Sequence, residues 1–296
     1  MVETAALERV LKRDRVVVIT ALSVIVAASW TYVLAGAGMG MSAFEMSSLS
    51  MALGQSAAMP MAPGMGSIAN ATGGAMQAMA TPVAWTTDYA VLMFFMWWIM
   101  MIAMMLPSAA PMVLLHAAVT RKSSLEAESR GAPCATATFT LGYLAAWAAF
   151  STVAVALQWR FEEAGVLSPM MLNSTNLLFA AAVLLFAGIY QLTPLKQACL
   201  KHCRGPVEFL TRHWRPGAGG AFVMGLRHGA FCLGCCWGLM AILFFGGIMN
   251  LYWIIGLALL VLAEKALPRG PWIARITGVA LLVGSGIMFS SAAGTF

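Results

Sequence analysis

The chain has 296 residues, 61% hydrophobic and 9% charged, with a formal net charge of +6 and a mean hydropathy of +0.84. Soluble domains carry roughly 25% charged residues, so this composition excludes a water-soluble globule and turns most of the surface toward lipid. The apolar runs are long rather than short and alternating, which argues against a transmembrane β-barrel, and six widely spaced cysteines do not make the disulfide framework of a small secreted domain.

A bilayer core takes about 20 apolar residues per helix. The first such run, Val16 to Ala37, follows the basic stretch Arg9, Lys12, Arg13, Arg15. A signal peptide has an apolar region of about 7–15 residues, so this longer run is read as a retained span. Further spans are expected at Tyr89–Val119, Ala135–Gln158, Asn176–Leu192, Gly220–Met249, Leu251–Ala263 with its flanks, and Trp272–Ala292. The prediction is an all-α, polytopic transmembrane helical bundle of about seven spans, a single domain over 1–296. Pro107 and Pro111 each remove a backbone donor inside the second run, so a kink or break is expected there.

Positive charge is distributed unevenly between the connecting segments. Arg121, Lys122 and Arg130, then Lys196, Lys201, Arg204, Arg212 and Arg215, then Lys265, Arg269 and Arg275 fall on the side of the basic N-terminus. The opposite side holds Arg160. This asymmetry predicts the N-terminus inside and the C-terminus outside. It also accounts for the net charge without a nucleic-acid partner.

Residues 38–87 form a long outer loop, flexible and almost uncharged. It contains Met39, Met41, Met46, Met51, Met59, Met61, Met65, Met76 and Met79. Thioether sulfur is a soft ligand that holds Cu(I) without deprotonation, and it resists disulfide chemistry in an oxidising compartment. The loop therefore fits a periplasmic copper collector; flexible apolar filling is the alternative.

The second span continues the pattern. At about 100° per residue, Met93, Met96, Met100 and Met104 share a sector of about 80°. Met101, Met105, Ser108 and Met112 follow on an adjoining face. Such a stripe is either a thioether ladder for a soft cation or a packing seam filled by methionine.

The fifth span carries His228, Cys232, Cys235 and Cys236, with Arg227 beside them. His228, Cys232 and Cys235 fall within about 60° of one helical face, and Cys236 lies about 40° beyond Cys232. Polar groups inside a membrane point to function. The segment before this span holds Cys199, His202 and Cys203, with the two cysteines one turn apart. Both groups, with His116 nearby, are expected to meet in the inner half of the bilayer. Thiols with imidazole make a soft site for Cu(I) first and Zn(II) second. The candidate metal ligands are His228, Cys232, Cys235, Cys236, Cys199, Cys203, Met100, Met101, Met104 and Met105. Cys134 reads as a filler thiol and His213 as a loop histidine. Glu264 and Lys265 read as a paired or snorkelling couple, with Glu264 a candidate gate.

Several of these stretches carry a family resemblance. They are Trp98 through Ser108, Tyr190-Gln-Leu-Thr-Pro-Leu-Lys196 with Cys199 and Cys203-Arg-Gly-Pro206, Gly229 through Met240, and Glu264-Lys265. From about Asp88 onward the chain resembles a bacterial family described as predicted metal-binding integral membrane proteins. The resemblance implies a helical membrane fold in the bacterial inner membrane.

The expected function is binding and handling of Cu(I), by acquisition, transfer or efflux, with the lipid bilayer as surroundings and a periplasmic metallochaperone or membrane-complex subunits as partners. No Gly-Lys-Ser/Thr phosphate loop is present, so the chain does not power transport with ATP. Alternatives are thiol redox chemistry through Cys232-Leu-Gly-Cys235, haem ligation by His116 and His228, and a non-catalytic subunit of a membrane complex.

Overall fold

The computed structural model describes residues 2–39, 42–44, 47, 85–126, 132–167 and 176–293. These fold as helices joined by short turns: α1 (Val2–Leu34), α2 (Thr87–Glu126), α3 (Ala132–Glu163), α4 (Leu177–Leu192), α5 (Pro194–Arg204), α6 (Pro206–His213), α7 (Gly217–Ala241), α8 (Leu243–Gly246), α9 (Leu251–Ala266) and α10 (Gly270–Ala293). The all-helical expectation holds for them.

Five stretches are long and apolar enough to cross a bilayer: Arg15–Leu34, Thr87–Lys122, Cys134–Glu163, Gly217–Gly246 and Gly270–Ala293. Helices α4 and α5, whose axes diverge by 63°, are apolar enough only as a pair, and make either a broken sixth span or a re-entrant loop. At about 1.5 Å per residue, the 16-residue α9 is roughly 24 Å long, short of a core about 30 Å thick. Helix α2 runs unbroken through Pro107 and Pro111. Most of the methionine-bearing loop, from Met41 through Met79, lies outside the described residues. Met39 is half-buried against the core.

Glycine sets how closely the bundle packs. Helices α3 and α7 touch along a seam where Gly142 lies against the Phe222 carbonyl, Gly225 against the Phe139 carbonyl and Gly229 against Ala146. A side chain at Gly142 or Gly225 would overlap backbone, so these helices approach as only small residues allow. Helices α4 and α10 pair similarly through Gly188 and Gly278, and Ser285 Oγ donates to the Ala181 carbonyl at 2.8 Å. Helix α2 packs against α1, α3 and α9.

The bend between α4 and α5 comes from the Tyr190-Gln-Leu-Thr-Pro run. Thr193 leaves helical geometry, and its Oγ1 accepts from Lys196 N at 3.3 Å. Pro194 supplies a first helical residue that needs no donor. Tyr190 packs on Gly238 and donates to the Gly234 carbonyl, tying the bend to α7. The chain therefore turns back across α7 and brings α5 against it.

Candidate metal centre

Cys232, Cys235 and Cys236 are buried on the inward face of α7. Cys203 comes from α5, and its thiol lies in range of both Cys232 and Cys235. The Cys235 and Cys203 sulfurs are 3.8 Å apart. From α2, Met105 Sδ stands 3.8 Å from Cys236 Sγ. The thiols of Cys235 and Cys236 also donate to the Cys232 carbonyl at 3.0 and 2.9 Å. With metal–sulfur bonds of roughly 2.3 Å, two sulfurs 3.8 Å apart subtend about 110° at a shared ion, the angle of a tetrahedral site.

The remaining wall is polar. Tyr143 of α3 places its hydroxyl 3.2 Å from Cys232 Sγ and donates to the Met105 carbonyl at 3.2 Å. Lys265, from the last turn of α9, donates through Nζ to Cys232 Sγ at 2.9 Å and to Ser108 Oγ at 3.0 Å. Its ammonium has no carboxylate partner among the described residues. Glu264 turns the other way and pairs with Lys196 at 2.7 Å, both side chains buried, while Gln191 Nε2 donates to the same carboxylate at 2.7 Å. The expected Glu264–Lys265 couple is therefore corrected. Adjacent residues on a helix point about 100° apart and do not share a partner.

Among the described residues, no three Cys, His, Asp or Glu side chains already form a metal-sized ring of donors. The sulfurs stand in pairs, Cys203 with Cys235 and Cys236 with Met105. Cys199, half-buried on α5, rests its sulfur against Gly234, beside the group. His228 is buried one turn from Cys232, between Phe139, Tyr143 and Phe209, with Nδ1 unpartnered. His116 is buried too, stacked on Phe139 at 4.5 Å between ring centres, and its Nδ1 is also unpartnered. Neither imidazole joins the sulfur pairs. Met100, Met101 and Met104 lie in the hydrophobic core along α2, and Met93, Met96 and Met112 are buried as well. The stripe faces protein throughout, as both a ladder and a seam require.

Sequence reasoning missed Lys265, Tyr143 and Ser108 as members of this group. Lys265 lies at the end of an apolar run, where a lysine by default snorkels to the interface, so its sequence position favours the other reading. The sequence marks Ser108 only as part of the methionine-bearing face of α2, and nothing local marks Tyr143.

No curated protein and no solved structure matches the chain. A family profile described as "PpoB2: Copper chaperone" matches residues 94–288. That match takes in α2 from Phe94, the bend that carries Cys199 and Cys203, the α7 cysteines and Lys265. The chain belongs to this copper-chaperone family.

Proposed function

We propose that this is a cytoplasmic-membrane protein of about seven spans, counting the bent α4–α5 pair and the short α9 with its flanks, N-terminus inside, that receives Cu(I) on its outer side and holds it in the thiol centre for transfer to a partner. The observation that carries this reading is that Cys203 from α5, Cys232, Cys235 and Cys236 from α7, and Met105 from α2 stand side by side inside the bundle, with close sulfur pairs at Cys203–Cys235 and Cys236–Met105. Thiolate and thioether suit Cu(I) by softness. The match to a copper-chaperone family supports the same ion.

The other parts take complementary roles. The methionines of the outer loop collect the ion, and Met93, Met96, Met100, Met101 and Met104 offer sulfur along α2 toward Met105. Two thiolates around one Cu(I) leave a net negative charge, and an uncompensated charge is costly inside a membrane. Lys265, at 2.9 Å from Cys232 Sγ, supplies the opposite charge. A periplasmic metallochaperone upstream, or membrane-complex subunits downstream, are the partners this arrangement calls for.

The test is the copper content of reduced, detergent-purified protein after loading with Cu(I). The expected result is stoichiometric Cu(I), lost in Cys203→Ser with Cys235→Ser and reduced when residues 39–79 are removed. Full retention of copper by the double cysteine variant would overturn the assignment. One observation favours thiol redox chemistry as a second reading. Cys203 and Cys235 approach closely across two helices, a different pair from the Cys232–Cys235 motif. A reversible Cys203–Cys235 disulfide in protein that binds no copper would select it.

A further inference from the structure

The end of the bundle that carries Lys265 contains a second feature that the thiol centre does not use. A cavity of about 300 Å³ opens between α5, the start of α6 and the start of α10, lined by Gln197, Leu200, Lys201, Arg204, Gly205, Glu208 and Pro271. We propose that this cavity binds the phosphate of an anionic phospholipid headgroup. The inference rests on the membrane reading of the chain, but not on the copper site.

Charge is the first argument. Lys201 is exposed and has no ion-pair partner among the described residues. Arg204 donates Nη1 to the Glu264 carbonyl at 2.8 Å and Nη2 to the Pro268 carbonyl at 3.0 Å. Both acceptors are neutral, so the guanidinium is held in place with its charge uncompensated. The nearby Glu264 carboxylate is already taken by Lys196. Glu208, the one acid in the lining, is paired with Arg212 at 3.0 Å. The cavity therefore presents two positive charges and a neutralised acid.

Donors are the second argument. Gln197 Nε2 is a buried atom in the lining with no hydrogen-bond partner. A buried donor left unpaired costs about 1–3 kcal/mol, and a phosphate oxygen would satisfy it. Gly205, in the lining, precedes α6 without a side-chain cap, so no side chain of the cap residue fills this part of the cavity.

Location selects the lipid over a free ion. The lip of the cavity meets surfaces suited to a bilayer interface. Leu195 and Val207 are exposed on α5 and α6, and Trp272 is exposed beside Pro271, with the Arg275 guanidinium 5.4 Å over its ring. Interfacial tryptophan with basic residues is the pattern of the headgroup layer, and basic pockets between membrane helices on the cytoplasmic side hold anionic headgroups.

The experiment reconstitutes the full chain into nanodiscs of phosphatidylcholine with a minority of phosphatidylglycerol. The protein is then extracted into mild detergent, and retained lipid is counted by native mass spectrometry. Wild type is expected to keep one phosphatidylglycerol. Lys201→Gln should lower the affinity for that lipid about fivefold, the value of one basic residue near an anionic surface, and so reduce its retention. Glu208→Gln should hold or raise it, and Arg15→Gln, a basic residue on α1, should leave it unchanged. Equal retention by wild type and Lys201→Gln would overturn the headgroup site while leaving the copper reading intact. Millimolar inorganic phosphate that empties the site and stabilises the protein as well as the lipid does would make free phosphate the ligand and end the lipid assignment. A chain that fails to enter the discs would sink the membrane reading, and this inference with it.

Discussion

In the proposed copper centre, Lys265 is the residue whose charge is most exposed to test. It reaches from α9 to a sulfur on α7 and a hydroxyl on α2, which makes it a joint between three helices as well as a charge. Replacing it with methionine keeps the volume and adds a soft donor, but removes the ammonium. A hydrogen bond to a charged group is worth about 1.5–3 kcal/mol, so Lys265→Met is expected to weaken Cu(I) binding roughly tenfold to a hundredfold. Competition against a Cu(I) chelator reads this directly, and unchanged affinity would show that sulfur softness alone holds the ion. The neighbouring Lys196–Glu264 pair is structural by contrast. Both side chains are buried, so Glu264→Gln strands a charge and is expected to cost about 3–5 kcal/mol. Thermal unfolding in detergent measures that loss, and Lys196→Met added to Glu264→Gln should recover a large part of it.

At the scale of elements, the α3–α7 seam and the α4–α5 bend position the centre. Gly225 lies directly on the Phe139 carbonyl. A methyl there meets backbone, which cannot rotate away, so Gly225→Ala should push the helices apart and lower the melting temperature. Gly219, on the same helix, has nothing within 4 Å of an added carbon, and Gly219→Ala should hold stability or raise it by up to about 1 kcal/mol through helix propensity. The pair of variants separates close packing from propensity on one helix. The bend governs which thiols meet. Mild oxidation is expected to join Cys203 to Cys235, because their sulfurs already stand 3.8 Å apart, whereas Cys232 Sγ is engaged by Tyr143 and Lys265. Peptide mapping of the oxidised protein shows which bond forms. A dominant Cys232–Cys235 disulfide would contradict the placement of α5.

For the whole molecule, the proposed orientation rests on charge and is open to direct test. Cys134 is exposed at the start of α3, while Cys232, Cys235 and Cys236 are buried. With the N-terminus inside, a membrane-permeant maleimide should label Cys134 in intact cells and an impermeant one should not. Labelling by the impermeant reagent would invert the orientation and place the thiol centre nearer the outer face. Distance along the helices puts the centre deep within the bundle. Counted at about 1.5 Å per residue, Met105 lies roughly 26 Å along α2 from Asp88, and Lys265 roughly 21 Å along α9 from Leu251. The N-terminal ends of these two packed helices are the ends nearest the methionine-bearing loop. The centre therefore sits well below the surface from which the loop would deliver its ion.

The sequence by itself determined the all-helical class and the presence of several long apolar helices, and it named the candidate sulfur donors; it expected about seven spans, of which five stand as single long apolar helices among the described residues. Those properties are local, since hydropathy needs only a window of neighbours and a thiol is soft wherever it sits. It also marked the α7 cysteines and Cys203 as one group, because helical spacing puts the first three on adjoining faces and Cys203 precedes them by a short connection. Only the tertiary structure decided which donors meet. His228 shares a helical face with Cys232, yet Phe139, Tyr143 and Phe209 surround its ring. Met100, Met101 and Met104 precede Met105 on the same helix, yet Met105 is the one whose sulfur stands by Cys236. Lys265, Tyr143 and Ser108 entered from three different helices. Which side chain faces which depends on the crossing and rotation of whole helices, set here by glycine seams and the 63° bend, and no stretch of sequence contains that information on its own.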